Sequence, residues 1–356
     1  MIAVLGLLLL LAAPSLYAQS SGETEKHPAD LPSVRVVFSE PKIDAPIEIP
    51  SAAMGGPPLC GPEGRSFIQF LTPPLYYNNK VVYSVSPDGK VIHYPAEQIV
   101  GLTNIYVRFI DPGVTNAVFL LHAQQAGASA HSSEHYYYMA LFDYDGKLQN
   151  YTNLDLGFEP SEIVQLYDNG FLVSGADTRG RAMFVLIDSS GSIRRDLRET
   201  PLMPSDEDLT AMLNSINIVG MNPNDLPLPL KIPAVLSMFR PVHSNGGVLI
   251  VEPGAGARVI EILRSGDTRM VKLKLPPHQI AHSIMTNKGS WFVRTHLQDS
   301  DTQWNLFQVD PETGQTLKRI DTSGVPATSI ACTTDTGFYG FRWIDKKSYL
   351  IHGDLQ

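Results

Sequence analysis

The chain has little of what small exported proteins or nucleic-acid binders depend on. It has 2 cysteines and 18% charged residues in 356, with a net charge of −9. Two cysteines exclude a disulfide framework and are too few for a zinc site of their own, and no C-x-x-C occurs. The negative balance argues against nonspecific binding to DNA, RNA or anionic lipid. No stretch reaches 18 apolar residues, so no membrane-spanning helix is expected. Nucleophile-elbow, H-E-x-x-H, P-loop and EF-hand patterns are all missing, so neither a cofactor nor a metal site is indicated. What the chain does have is 43% hydrophobic residues, 28 glycines and 27 prolines. A chain this long can bury roughly 75% of its unfolded surface without staples.

The first residues set the expected compartment. Ile2 to Ala13 are apolar apart from Gly6, and Pro14 and the small residue Ala18 precede polar Gln19-Ser20-Ser21. That pattern reads as a signal peptide over 1–18, although no Lys or Arg precedes the apolar run. A flexible linker is expected over 19–33, and the mature protein is expected to be secreted or periplasmic and monomeric. In an oxidising compartment Cys60 and Cys332 can form one disulfide; the alternative is two small buried thiols.

Glycine turns recur in two series. The first is Gly64, Gly113, Gly170, Gly246, Gly289 and Gly337; the second is Gly89, Gly146, Gly191, Gly266 and Gly314. Each follows polar turn residues, the strongest short hairpin signal in a sequence. The series stay in phase, with separations of 25 (64 to 89), 21 (170 to 191), 20 (246 to 266) and 25 (289 to 314), and a longer gap of 33 (113 to 146). The second-series glycine recurs after 57, 45, 75 and 48 residues, the 75 spanning a polar, Pro-rich insertion. A period in the forties with two glycine turns per unit implies four short strands per unit. One unit reads as strands at 161–167, 171–176, 182–188 and 192–197; another as 280–285, 290–296, 304–310 and 315–320. The fold class is therefore all-β, a six-bladed β-propeller of four-stranded antiparallel blades.

The sixth unit is one strand short. The β-rich run Val34-Arg35-Val36-Val37-Phe38-Ser39 is expected to supply its missing strand, which also removes an exposed sheet edge. The single propeller domain then covers 34–356. A polar, Pro-rich insertion at about 200–231 interrupts the repeat. Ser205 is a good N-cap, and Leu209, Met212, Leu213 and Ile216 follow at helical spacing, so the insertion is read as a short helix and an extended strap.

On turns such as Leu166-Tyr167-Asp168-Asn169-Gly170-Phe171-Leu172-Val173 followed by Ile187-Asp188-Ser189-Ser190-Gly191, the chain resembles six-bladed propellers of the TolB-like and NHL-like kind. The resemblance is one of fold and implies no catalytic residue.

Four-stranded blades put the glycine turns on one face and the second-to-third loops on the other, where the long segments 72–79, 124–135 and 297–303 and the insertion fall. Loops on a rigid scaffold carry function. His131 and His135 are four apart, as are His278 and His282. A helix would let such a pair share an ion, but a Gly/Ser/Ala-rich loop and a strand do not. The binding candidates at the entries to the central channel are Glu162, His278 and His282. Tyr136-Tyr137-Tyr138 opens a strand, so Tyr137 faces away from its two neighbours. The expected function is non-catalytic binding or scaffolding, with a protein, peptide or glycan ligand on the long-loop face. The alternative is a propeller hydrolase or lyase with a polar or metal site at the channel mouth.

Overall fold

A computed structural model of the chain describes residues 31–38, 59–61, 64–71, 80–86, 88, 90–127, 135–167, 169–198, 241–244, 246–252, 256–287, 289–298, 300–322, 325–334, 336–344 and 347–356, with short strands at 11–12, 53–54 and 217–218. Among these residues there is no α-helix, and no helix long and apolar enough to cross a membrane. The expected helix and strap at 200–231 lie outside the described residues, apart from a two-residue pairing of Asn217–Ile218 with Leu11–Ala12. The fold is all-β and of propeller type: four-stranded up-and-down meanders follow one another along the chain.

The chain divides into two compact units, the first built on 44–199 and the second on 200–344 with 8–43 and 349–356. Three meanders fall in each. In the first unit, meander I pairs Ala53–Met54 and Leu59–Cys60 with Ser66–Leu71, and continues through Lys80–Val85 and Val91–Tyr94. Meander II is Leu102–Pro112, Ala117–Gln125, Tyr136–Phe142 and Leu148–Asn153. Meander III is Glu159–Tyr167, Gly170–Ala176, Ala182–Asp188 and Ile193–Asp196.

In the second unit, meander IV is Val242–His243, Gly247–Val251, Arg258–Leu263 and Thr268–Lys272. Meander V is Gln279–Asn287, Ser290–Leu297, Ser300–Val309 and Thr316–Asp321. Meander VI is Ile330–Thr333, Gly337–Ile344 and Lys347–Leu355, with Ser33–Phe38 as its fourth strand. The Ser33–Phe38 strand has two partners. Val36–Phe38 pair antiparallel with residues 353–355, while Ser33–Arg35 pair parallel with residues 319–321 of meander V. One six-residue strand thus ties V and VI into a continuous eight-stranded sheet.

Period-two alternation builds the core on both faces of a meander. In meander II, Phe119, Leu121, Tyr138 and Ala140 pack with Phe67, Val82 and Tyr94 of meander I. Their neighbours Val118, Leu120 and Met139 pack with Ile163, Phe171, Val173 and Val185 of meander III. The second unit repeats the scheme: Trp291, Val293 and Phe307 face meander IV, while Phe292 and Leu306 face Val36, Ile330 and Phe338 of meander VI. Each fully buried Val, Leu, Ile or Phe contributes about 1.5–3 kcal/mol.

The glycines of the second series have a structural reason. Gly146, Gly191 and Gly314 all have φ between +70 and +82. A Cβ at Gly146 would stand 2.4 Å from the carbonyl oxygen of His93, and one at Gly314 would stand 2.0 Å from that of Lys272. At Gly191 the carbonyl of Asn153 is 3.1 Å away. In each case the third-to-fourth turn lies against the last strand of the preceding meander, with room for backbone only. The carboxylates of Asp143, Asp188 and Asp310 each accept two backbone N–H bonds across these turns.

This contact predicts a contrast between two alanine substitutions. Gly127 has φ +88, but a Cβ there would meet nothing within 4 Å. G127A should therefore lose only about 1 kcal/mol, the cost of a left-handed backbone. G314A adds a clash with backbone and should lose roughly 2–4 kcal/mol. Urea unfolding of both variants measures the difference, and equal losses would remove the close-approach explanation.

Candidate functional site

The first strand of four meanders carries a β-bulge at a corresponding point. The extra residue at the bulge is Arg108 in II, Ser161 in III, His282 in V and Ala331 in VI. A bulge re-aims its side chain and is frequent beside functional sites. In meanders II and V the bulged residue is ionisable, and in both it lies beside a row of rings at the end of the sheet near the second-to-third loop.

The meander II row lies on the face turned towards meander III. The apolar series Val118, Leu120 continues two residues on to His122, and Met139 continues back to Tyr137 and His135. Register sets His122 opposite Tyr106 on one side and Tyr137 on the other. The rings stack in sequence. Tyr106 and His135 have centroids 5.9 Å apart at 18°, His135 and His122 4.7 Å at 36°, and His122 and Tyr137 4.8 Å at 24°. The Arg108 guanidinium lies 5.6 Å over the Tyr137 ring and pairs with Glu159 of meander III at 3.1 Å.

This packing favours the uncharged forms of His122 and Tyr137. Burial, followed by the neighbouring His135 and Arg108, pushes His122 down to about 4. Burial raises the Tyr137 phenol, and its hydrogen bond to Glu159 raises it further, against the lowering effect of Arg108. The Nδ1 atom of His135 is buried and has no hydrogen-bond partner among the described residues.

The meander V row is built on the corresponding strands. His282 at the bulge meets Trp304 edge-on at 5.1 Å, and His296 of the second strand lies 5.2 Å from the same indole. His296 is 3% exposed, with Nδ1 3.0 Å from the carbonyl of Leu297. Beneath them, buried Gln279 accepts hydrogen bonds from Thr295 Oγ1 at 2.5 Å and Asn305 Nδ2 at 3.3 Å. Gln279 closes a turn on Pro276 at 3.2 Å, in which His278 has φ +62. Pro277 and His278 thus occupy the central positions of a turn that favours proline then glycine.

The structure places the sequence candidates as follows. His282 is exposed and is the bulged residue of its strand. His278 is exposed at the strand's entry, held by the bond from Gln298 N to its carbonyl at 2.8 Å. Glu162 follows the bulge of meander III; it is 5% exposed and accepts a bond from Ser174 Oγ at 3.3 Å. It belongs to the first unit, and both histidines to the second. His135 stacks on His122 across the ladder; His131 lies outside the described residues. The segment 297–303 differs from the expected long loop: Leu297 pairs with Ser300, leaving a two-residue connection. Its polar residues lack the apolar alternation that marks a strand, but ladder pairing extends through them. No group of three metal-ligating side chains occurs among the described residues. Sequence reading missed Arg108, His122, Glu159, His296 and Trp304, because cross-strand register decides which of them meet.

No protein-family model matches the sequence, and no curated protein matches it. Among solved structures the chain is similar to prolyl oligopeptidase B from Galerina marginata, at 12% identity over 85% of this chain and 43% of that one, with a TM-score of 0.42. A Trypanosoma rangeli sialidase gives 10% identity over 93% and 59%, with a TM-score of 0.41. YCF48, solved bound to D1 peptide, gives 11% over 89% and 84%, with a TM-score of 0.39. The chain spans less than two thirds of the peptidase and of the sialidase. Likenesses of this size bear on neither activity nor ligand.

The backbone of His278 yields a test of its role. A left-handed backbone costs a β-carbon-bearing residue about 1–2 kcal/mol, and glycine returns roughly 0.5–1 of that as unfolded-state entropy. H278G should therefore be about 0.5–1 kcal/mol more stable than the natural chain by urea unfolding. A loss of stability would mean that the histidine side chain holds this turn together.

Proposed function

We propose that the chain is an exported, non-catalytic binding protein. In this reading 34–356 is one six-bladed propeller, its last blade completed by Ser33–Phe38, and it takes a protein, peptide or glycan at the second-to-third-loop end of its blades. The observation that carries the reading is the recurrence of a ring row beside a bulged, ionisable first-strand residue in meanders II and V. Rings with polar tips, aligned across three strands, offer apolar area and hydrogen bonds at low conformational cost. The charge states favour recognition over proton transfer. A general base works best with a pKa near the operating pH, whereas His122 is pushed down to about 4 and Arg108 is committed to Glu159.

The second reading, a hydrolase or lyase acting at the channel mouth, draws on the first-strand bulges. Arg108, Ser161 and His282 are the bulged residues of meanders II, III and V, and buried Glu162 follows Ser161. Export is supported by the leader-like 1–18, and by the absence of a free cysteine among the described residues.

Two experiments test this reading. The chain from residue 19 onward is applied to glycan and peptide arrays, together with Y106A, R108A and W304A. One ligand class should bind, and at least one variant should lose about tenfold or more, equivalent to about 1.4 kcal/mol. Equal binding by all four proteins would remove both rows from recognition, and turnover of an arrayed ligand would favour the second reading. On this reading, a six-bladed ring would make the blades of Cys60 and Cys332 neighbours, and the two should form one bridge. Non-reducing proteolysis with mass spectrometry should find their peptides joined. A bridge closing so long a loop should add on the order of 4–5 kcal/mol. Joined peptides only between two copies of the chain would overturn the ring.

A further inference from the structure

We propose that the His122–His135 ring pair is an acid-sensitive latch: a proton taken from solvent by His122, beside His135 and Arg108, drives the two rings apart and changes the surface that meander II presents at its loop end. The geometry comes first. Two imidazoles with centroids 4.7 Å apart at 36° stack well while neutral and repel when both are charged. Among the described residues, these elements pack against His122. The first strand brings Tyr106 at 6.3 Å and the cation Arg108; the third brings His135 and Tyr137; the first strand of meander III brings Glu159. Glu159 is the carboxylate that acts on His122, and Arg108 already holds it at 3.1 Å.

His135 adds a second observation. Its Nδ1 is buried and has no hydrogen-bond partner among the described residues, so no bond from that atom fixes the ring in place. Rotating that ring outward would part it from His122, and Tyr106 stacks on it at 5.9 Å and 18°. The proton bound is the whole chemical change: no covalent bond is broken, and the uptake reverses when pH is restored.

The latch also appears in stability. The unfolded chain accepts this proton near pH 6.5, as an ordinary imidazole does. The folded chain resists it until about pH 4 at His122. The stabilising contribution is therefore complete above about pH 6.5 and is lost as pH falls towards about 4.

Regulation of ligand binding by this latch rests on the binding reading above; the switch itself does not. The test is an NMR titration of the full mature chain from about pH 8 to about pH 3, following the histidine and tyrosine rings, with near-UV circular dichroism to certify folding. His122 should titrate well below an ordinary imidazole, and the Tyr106 and Tyr137 ring signals should move with it. In H135F the neighbouring charge is gone and a ring remains, so the His122 midpoint should rise by about one pH unit. H135Q, also uncharged, serves if the phenylalanine variant does not fold. An unchanged His122 midpoint in the folded variant, or tyrosine signals that ignore the titration, would overturn the latch. Binding on the arrays that is the same at pH 7 and at pH 4, where the folded chain has taken the proton, would overturn its regulatory role. A latch that responds in a chain that binds nothing would leave the switch standing and remove the binding reading.

Discussion

The constraint on which the rest depends is that an interior meander has no spare face. In meander II one row of alternating side chains is buried against meander I and the other against meander III. Both rows must then be apolar through the middle of the sheet, since an unpaired buried polar group costs about 1–3 kcal/mol. Chemistry is displaced to the strand ends. The row Val118, Leu120, His122 shows the change of character within three alternating positions. The row Phe292, Arg294, His296 in meander V makes it earlier, with Arg294 donating to the carbonyl of Ile330 in the next meander.

The same crowding explains which parts of the fold were legible in the sequence. Meanders packed face to face approach most closely at their tight turns. There only glycine fits the left-handed backbone beside a neighbouring carbonyl, as at Gly146 and Gly314. A steric demand made once per meander leaves a periodic mark, and the phased glycines are that mark. The strands of meanders III and V were readable for a related reason: burial on both faces demands β-branched and aromatic runs of strand length. The fourth strand of meander VI was readable by subtraction, as a β-rich run with no turn of its own. Its parallel pairing with residues 319–321 was not, because nothing in Ser33–Arg35 distinguishes one edge from another.

The candidate site was legible only in part, and the physical reason is register. His278 and His282 could be named because they enter a first strand; that His282 is the bulged residue depends on a one-residue slip between Ala281 and Ser283. Slips of this kind depend on the partner strand as much as on the bulged one. The His122–Tyr137 contact joins residues on two strands separated by a loop, and local spacing carries no sign of it. The spacing of His131 and His135 drew attention to this loop, but the contact of His135 with His122 carries no mark in local spacing. One signal was present and unread: Pro276-Pro277-His278-Gln279 has the form of a turn that wants glycine where histidine stands.

The two ends of a meander are also opposite in electrostatic character. At the tight-turn end, carboxylates are held charged. Hydrogen bonds from Ser190 and the backbone bring Asp188 down to about 2, and bonds from Thr313 and Glu312 lower Asp310. These charges are already satisfied by the turn's own N–H groups and have little left to offer a ligand. At the loop end of meander II, burial works in the other direction and keeps His122 and Tyr137 neutral. Neutral donors and acceptors on stacked rings keep hydrogen-bonding capacity without the desolvation cost of an ion, and that cost is what most weakens polar contacts when a surface is covered. The turn end therefore serves the fold, and the loop end is the one chemically suited to being covered by something else.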